Sequence, residues 1–475
     1  MRDRVVRLTA AGIFLVTWGL TTHGKYSVTG DEPHYLMVAQ SLLADRDLDV
    51  ANNYAANEGA AFGASGVKPE QHVRQNSRGR VLPVHDIGVP FVLTPVLAAA
   101  KAASSFPGES TLRRFRMNRG LFAYSLVSLF VIGLSTFAAA ITIRALHAAG
   151  ASPAASATIV AIAWLSPPVL SNAFLVFPEP FALLVTAWVV AAVCRPGEDW
   201  EWRDSVAVAA LGAMPWLHRK FAFYAIALLA ILLWRRATAI RALGRPAKAR
   251  IAALFVVLPI AMAAWTLKEW GNLAGPLALD GVPLYASGLA RGAAGLLIDR
   301  ENGLLWWAPV YALLPAAIWI RRGDRWPWVV AILALAIPCA AHNQWWAGFS
   351  PAGRFLVPLV PIFCLFGIEL TRRRGLTAAA ISFLMPQFIM TAHAWNRPRL
   401  LWPQGDGENR VLAAILPPLS TAYRAIPSFR VEPDTAWTAA AVLFGCIVLL
   451  NAALVFYDGS FVNITNAQSR NRRSP

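Results

Sequence analysis

The sequence predicts an all-α polytopic membrane protein, on three observations. Of its 475 residues, 57% are hydrophobic and only 15% are charged, whereas soluble domains carry about 25% charged residues. The apolar residues are gathered into repeated runs of the length a bilayer requires, about 17–25 residues. The basic residues fall in short clusters between those runs, where the positive-inside rule puts cytoplasmic loops.

Those clusters order the spans. They are Arg2/Arg4/Arg7, Arg144, Arg195/Arg203, Arg235 to Arg250, Arg321/Arg322/Arg325, Arg372 to Arg374 and Arg470/Arg472/Arg473. If all are cytoplasmic, each interval between two of them holds an even number of crossings. The basic start followed by an apolar run to Leu20 looks like a signal peptide, but no clear small-residue cleavage site follows, so residues 8–23 are read as an uncleaved first span. Residues 119–143 return the chain. Between them, 82–104 is apolar but contains Pro83, Pro90, Pro95, Asp86 and Lys101, and both prolines and charges disfavour a crossing. It is expected to lie along the outer interface.

The remaining runs pair as 153–170 with 180–194, 204–217 with 221–234, 251–267 with 303–320, 327–341 with 355–370, and 375–394 with 436–457. About twelve transmembrane helices result, in one domain over 1–457 with both termini cytoplasmic and a disordered tail over 458–475. The first extracytoplasmic loop then spans 24–118. A structureless loop of that length is unusual, so amphipathic surface helices are expected at 33–45 and 84–104, separated by a polar stretch.

A net charge of +17 would suggest nucleic acid in a soluble protein. Here the charge lies in interspan clusters with no basic globular patch, so the partner expected is the lipid bilayer and not nucleic acid. Cys194, Cys339, Cys364 and Cys446 lie in or beside apolar runs without metal or redox spacing, and read as packing residues.

In this orientation the unusual polar residues collect outside. Charges near apolar segments are costly and are normally paired or functional. Asp31 and Glu32 follow the first span and open a surface helix. They fit an acidic helix N-terminus, which favours negative charge, and equally a carboxylate kept ionised as a general base. Glu179, in Phe177-Pro178-Glu179-Pro180, is either a turn acid or a second acid that orients an acceptor or holds a divalent cation, Mg or Mn, with Asp31. Arg219 and Lys220 break an apolar stretch, either as snorkelling anchors or as phosphate contacts. The segment 342–354 gathers His342, Asn343, Trp345, Trp346 and Arg354. An interfacial Trp belt explains its aromatics, while aromatic faces with polar edges also suit a sugar and Arg354 a phosphate. Asp299-Arg300-Glu301 reads as a solvated charge cluster or as a cap on the cavity.

Thr29-Gly30-Asp31-Glu32-Pro33-His34-Tyr35-Leu36, an acidic pair after the first span followed by a surface helix, resembles the GT-C superfamily of membrane glycosyltransferases. Pro178-Glu179-Pro180, Trp345-Trp346-Ala347-Gly348 and Gly353-Arg354 are similar to its bacterial protein-mannosyltransferase and aminoarabinose-transferase-like group. The resemblance runs over about 450 residues and implies a GT-C-like fold, a polyprenyl-phosphate sugar donor and a glycan, lipid or protein acceptor. It puts the site outside the bacterial cytoplasmic (inner) membrane. Asp31 matches the catalytic first-loop acid, with Glu32 beside it, and Glu179 falls where a second acid stands, commonly Asp in that group. A transporter or flippase of lipid-linked glycans and an O-antigen-ligase-like enzyme remain as alternatives. Transporters often carry internal repeats with charges near the midplane, and neither feature is evident here.

Overall fold

A computed structural model describes residues 2–22, 28–197, 199–276, 284–321, 323–418 and 420–471, with side chains from 457 onward left aside. Arg322, Arg472, Arg473 and part of the loop before Asp299 lie outside the described residues. Among the described residues, the helices of seven residues or more are α1 (Arg2–Thr22), α2 (Glu32–Ala44), α3 (Gly88–Ala103), α4 (Arg119–Ala148), α5 (Pro153–Trp164), α6 (Pro178–Cys194), α7 (Trp202–Leu217) and α8 (Ala222–Arg235). They continue as α9 (Arg245–Trp270), α10 (Leu289–Ile298), α11 (Leu314–Ile320), α12 (Arg325–Ala341), α13 (Val360–Arg372), α14 (Arg374–Asn396) and α15 (Pro433–Asn471). One antiparallel hairpin, β1 (Val73–Gln75) with β2 (Val81–Pro83), interrupts the helical pattern.

The protein is thus a helical polytopic membrane protein. Among the described residues, six helices are long and apolar enough to cross a bilayer: 3–22, 119–148, 245–270, 354–372, 374–396 and 433–456. Each coincides with an expected span. Large apolar side chains stand exposed along α9, α14 and α15, including Val257, Ile260, Phe388 and Leu449, a surface suited to lipid and not to water.

Prolines account for the differences elsewhere. The expected run 153–170 stops at Trp164, ahead of Pro167 and Pro168, because the residue before a proline is pushed out of the helical region. The run 303–320 breaks into Leu304–Trp307, a 3-10 turn Pro309–Leu313, and α11, with Pro309 and Pro315 removing helical donors. The run 355–370 begins as a 3-10 turn, Arg354–Leu359, before α13. Helices stand at both places expected to hold surface helices, but α2 is buried from Glu32 to Ser41 rather than lying with one face exposed, and α3 begins only after the hairpin. α15 continues through Asn471, into the segment expected to be disordered.

The core centres on α4 packed along α6, flanked by α1, α5 and α13. Trp164 is fully buried there and donates to the Ser135 carbonyl at 2.9 Å. Asn118 caps α4 by accepting from the Leu121 N–H at 2.7 Å. The α4 N-terminus, the α6 N-terminus, the turn before α8 and the turn before α13 all meet α2 and the hairpin at one end of the bundle.

Candidate active site

The site begins where the chain turns into α2. Gly30 has φ +57°, the left-handed region in which a Cβ is costly, and a Cβ would stand 2.8 Å from the Phe349 carbonyl oxygen. This turn sets Asp31 at the N-cap of α2, yet its side chain makes no capping hydrogen bond. Glu32 reaches back instead, its Oε2 accepting from the Thr29 N–H at 3.0 Å. Its Oε1 accepts from the Val176 N–H at 2.7 Å, and the Tyr124 hydroxyl of α4 donates to both oxygens at 3.0 and 3.1 Å. Fully buried, Glu32 ties the start of α2 to α4 and to the chain entering α6. The two neighbouring acids therefore part company: one anchors, the other is presented.

Asp31 Oδ2 accepts from Arg354 Nη1 at 3.3 Å. Arg354 Nε donates to Glu179 Oε1 at 3.2 Å, and Lys220 Nζ donates to that same oxygen. Four charges of alternating sign are joined, from four separate parts of the chain. Gly353 (φ +73°) aims Arg354 inward, and a Cβ there would sit 2.9 Å from Pro168 Cβ. Aromatic faces support both cations: the Arg354 guanidinium lies 4.2 Å from the Phe177 ring centre and the Lys220 ammonium 4.2 Å from that of Phe355. Such placement favours a cation in a partly dry site. Glu179 Oε2 is buried without a hydrogen-bond partner.

Burial opposes ionisation of Asp31, but the positive charges of His85, Arg354 and His72 outweigh it and hold the carboxyl down at about 2. Burial also lowers His85, to about 4, and His72. The permanent positive charge beside Asp31 is that of Arg354, 3.3 Å away. Glu32 goes the other way: burial pushes it up to about 7 against its three donors. Acids driven apart by their surroundings are a mark of divided roles.

The other candidates fall elsewhere. Arg219 is turned to Asp86, its N–H and Nε donating to the two carboxylate oxygens at 2.8 and 2.9 Å, so it stands in an ion pair apart from the Asp31–Arg354–Glu179–Lys220 cluster. His342 accepts from the Gln344 N–H at 3.0 Å, and Asn343 is exposed. Trp345 is buried against α10, where a Cβ on Gly295 would stand 2.5 Å from its ring; it packs, and presents no face to a sugar. Asp299 and Glu301 accept from the backbone N–H groups of Phe429, Gly405 and Gly407, which makes them braces for the 405–429 segment. A divalent ion shared by Asp31 and Glu179, the pair expected to hold Mg or Mn, would stand against both Arg354 and Lys220.

Sequence reasoning missed Tyr124, Asp86, His72 and His85. Tyr124 gives no signal, lying inside an apolar helix run. The hairpin did offer one: two short runs around Asn76-Ser77-Arg78-Gly79-Arg80, a turn-forming composition. Asn76 Oδ1 accepts from the N–H groups of Arg78 and Arg80, each at 3.0 Å.

No family model matches the chain, and no curated protein does. Among solved structures it is similar to ArnT from Cupriavidus metallidurans in the apo state, at 13% identity and a TM-score of 0.49, over 95% of this chain and 76% of that one. It is also similar to ArnT bound to undecaprenyl phosphate, at 12% identity and a TM-score of 0.48, over 95% and 77%.

Proposed function

We propose that the protein is a glycosyltransferase that takes a sugar from a polyprenyl-phosphate donor and passes it, with inversion, to a hydroxyl of an extracytoplasmic glycan, lipid or protein. The bilayer is a bacterial cytoplasmic membrane, through which the lipid donor enters sideways. The observation that carries this reading is Asp31: a carboxylate whose side chain caps no helix and stands beside Arg354 in a cluster with Glu179 and Lys220.

Each group then has one task. Asp31 accepts the proton of the acceptor hydroxyl, whose oxygen forms the new bond to the anomeric carbon. The bond from that carbon to the phosphate oxygen breaks, and the departing phosphate keeps the electron pair. Arg354 and Lys220 stabilise the charge that grows there. The phosphate competes with Asp31 for Arg354, so donor binding releases the base it requires. Glu179 holds both cations in place, and its unpartnered oxygen is left to accept from a sugar hydroxyl. A glycosidase would need a protonated acid opposite a second carboxylate at a controlled separation, and here the second acid is bound by two cations.

The test is reconstitution in liposomes with a panel of sugar-loaded polyprenyl phosphates. The wild type consumes one donor and releases polyprenyl phosphate. Asp31→Asn still binds that donor but transfers the sugar at least about 100-fold more slowly. Transfer by Asp31→Asn at the wild-type rate removes Asp31 from the base role. Movement of the donor across the bilayer without its consumption makes the protein a flippase.

A further inference from the structure

We propose that Asp31, His72 and His85 form a three-ligand site for a divalent transition metal of the zinc class, with a fourth position open. The hairpin makes the site. Val73 pairs with Pro83 across β1 and β2, and the next N–H along, that of Val84, donates to the His72 carbonyl at 2.9 Å. This register brings His72 and His85 together, with His72 Nδ1 2.9 Å from His85 Nε2. The turn at Gly30 delivers Asp31 to the same place, so that one ligand atom from each residue lies within 4.8 Å of the other two. All three side chains are half-buried, reachable by an ion yet shielded from bulk water.

The bland explanation is a hydrogen bond between two neutral imidazoles. It accounts for the short nitrogen separation, but not for a carboxylate as a third converging donor. Nor does it account for the support behind the rings. His34 stacks on His72 with ring centres 3.6 Å apart and planes 14° apart, and His34 Nδ1 is hydrogen-bonded to the Tyr54 hydroxyl at 2.6 Å. Outer partners that fix ring orientation are a regular part of metal sites.

The dimensions fit. A tetrahedral zinc ion holds nitrogen and oxygen at about 2.0–2.2 Å, which sets its ligands about 3.4 Å from one another, within small rotamer adjustments of the present spacing. Two imidazoles with one carboxylate favour Zn2+ or Co2+, whereas Mg2+ takes oxygen donors. Neutral rings are what coordination requires, and a carboxylate has lone pairs enough for Asp31 to keep Arg354 on one side and an ion on the other. An oxygen bound at the open position, from water or an acceptor hydroxyl, loses its proton more readily.

Metal content decides this without donor or acceptor. The full chain carries a histidine-free affinity tag, is stripped with chelator, and is titrated with Zn2+ and with Co2+. One ion per chain is expected by elemental analysis, together with the visible absorption of Co2+ in a four-coordinate nitrogen and oxygen field. His72→Ala and His85→Ala lose the ion at a Zn2+ concentration that saturates the wild type. His147→Gln, at the other end of α4, retains it. Absence of saturable binding by the wild type, or undiminished binding by both alanine variants, overturns the site. If the variants fail to elute as the wild type does, the wild-type Co2+ spectrum decides alone, and the lack of a four-coordinate band overturns the proposal. A protein that binds the ion but transfers no sugar upholds this site and sinks the transferase; one that transfers sugar while binding no ion does the reverse.

Discussion

Buried ion clusters sit at both ends of the helix bundle, and they are built differently. At the basic end, Arg195 Nη2 meets Asp204 at 2.8 Å and Arg236 Nε lies 3.6 Å from Asp204. There the backbone is always involved. Asp204 accepts from the Glu201 N–H at 2.9 Å in a reciprocal capping box. Arg195 donates to the Asp199 carbonyl, and Arg236 donates to those of Ala192 and Gly197, closing the C-terminal end of α6. At the acidic end Asp31 declines the cap it is placed for, and Arg354 joins carboxylate to carboxylate. The first cluster finishes helices. The second is held by side chains that a ligand can rearrange without unravelling a helix, and that distinction separates a brace from a site where burial and charge alone do not.

Substitution at each end makes the contrast measurable. Asp31→Asn keeps the size of the side chain and removes the base, so transfer should fall by about 10²- to 10⁴-fold while the melting temperature drops far less than it does for Asp204→Asn. A loss of stability as large as that of Asp204→Asn would make Asp31 a brace like Asp204. In the mirror experiment, Asp204→Asn leaves buried arginines facing a neutral amide, at a cost of about 3–5 kcal/mol. The melting temperature should drop while the transfer rate per folded molecule holds. Between these lies Arg354→Lys. A lysine offers a point charge where the guanidinium reaches Asp31 and Glu179 together, so donor affinity should weaken by about tenfold, read as a rise in KM larger than the fall in kcat. An unchanged KM would remove Arg354 from the phosphate.

Much of this was legible in the chain, and the illegible part has a physical cause. Helices longer than a bilayer is thick are written as apolar runs, and α1, α4, α9, α14 and α15 stand where those runs are. Asp31, Glu179, Lys220 and Arg354 could each be named because a charge at the edge of an apolar run is expensive. Their assembly could not, since it depends on four chain segments meeting in space. Nor could the sequence divide Asp31 from Glu32. Adjacent residues on a helix point in different directions, and only the positions of Tyr124 and Val176 decide which acid is consumed as an anchor. Arg219 read the same as Lys220 until Asp86 claimed it, and Trp345 looked like a sugar platform until Gly295 let it bury.

The smallest expected effect is also the sharpest test of that division. Asp31, held down at about 2 against 3.8 in the unfolded chain, contributes stability that is complete above pH 3.8 and is lost as pH falls toward 2. Glu32, pushed up to about 7 against 4.5, contributes in the opposite sense: fully below pH 4.5, and lost as pH rises through 7. Burial lowers His34, His72 and His85, and these groups add stability as pH rises through their ordinary range, so the Glu32 share is read as the difference between the wild-type and Glu32→Gln melts, which should shrink as pH rises from about 5 to 8. Glu32→Gln cannot ionise, so its own melt should follow the histidines alone. Paired melts at several pH values decide the matter. A difference that stays constant with pH assigns the titration to another group. A pH-dependent difference that appears with Asp31→Asn instead would exchange the two roles and make Asp31 the anchor.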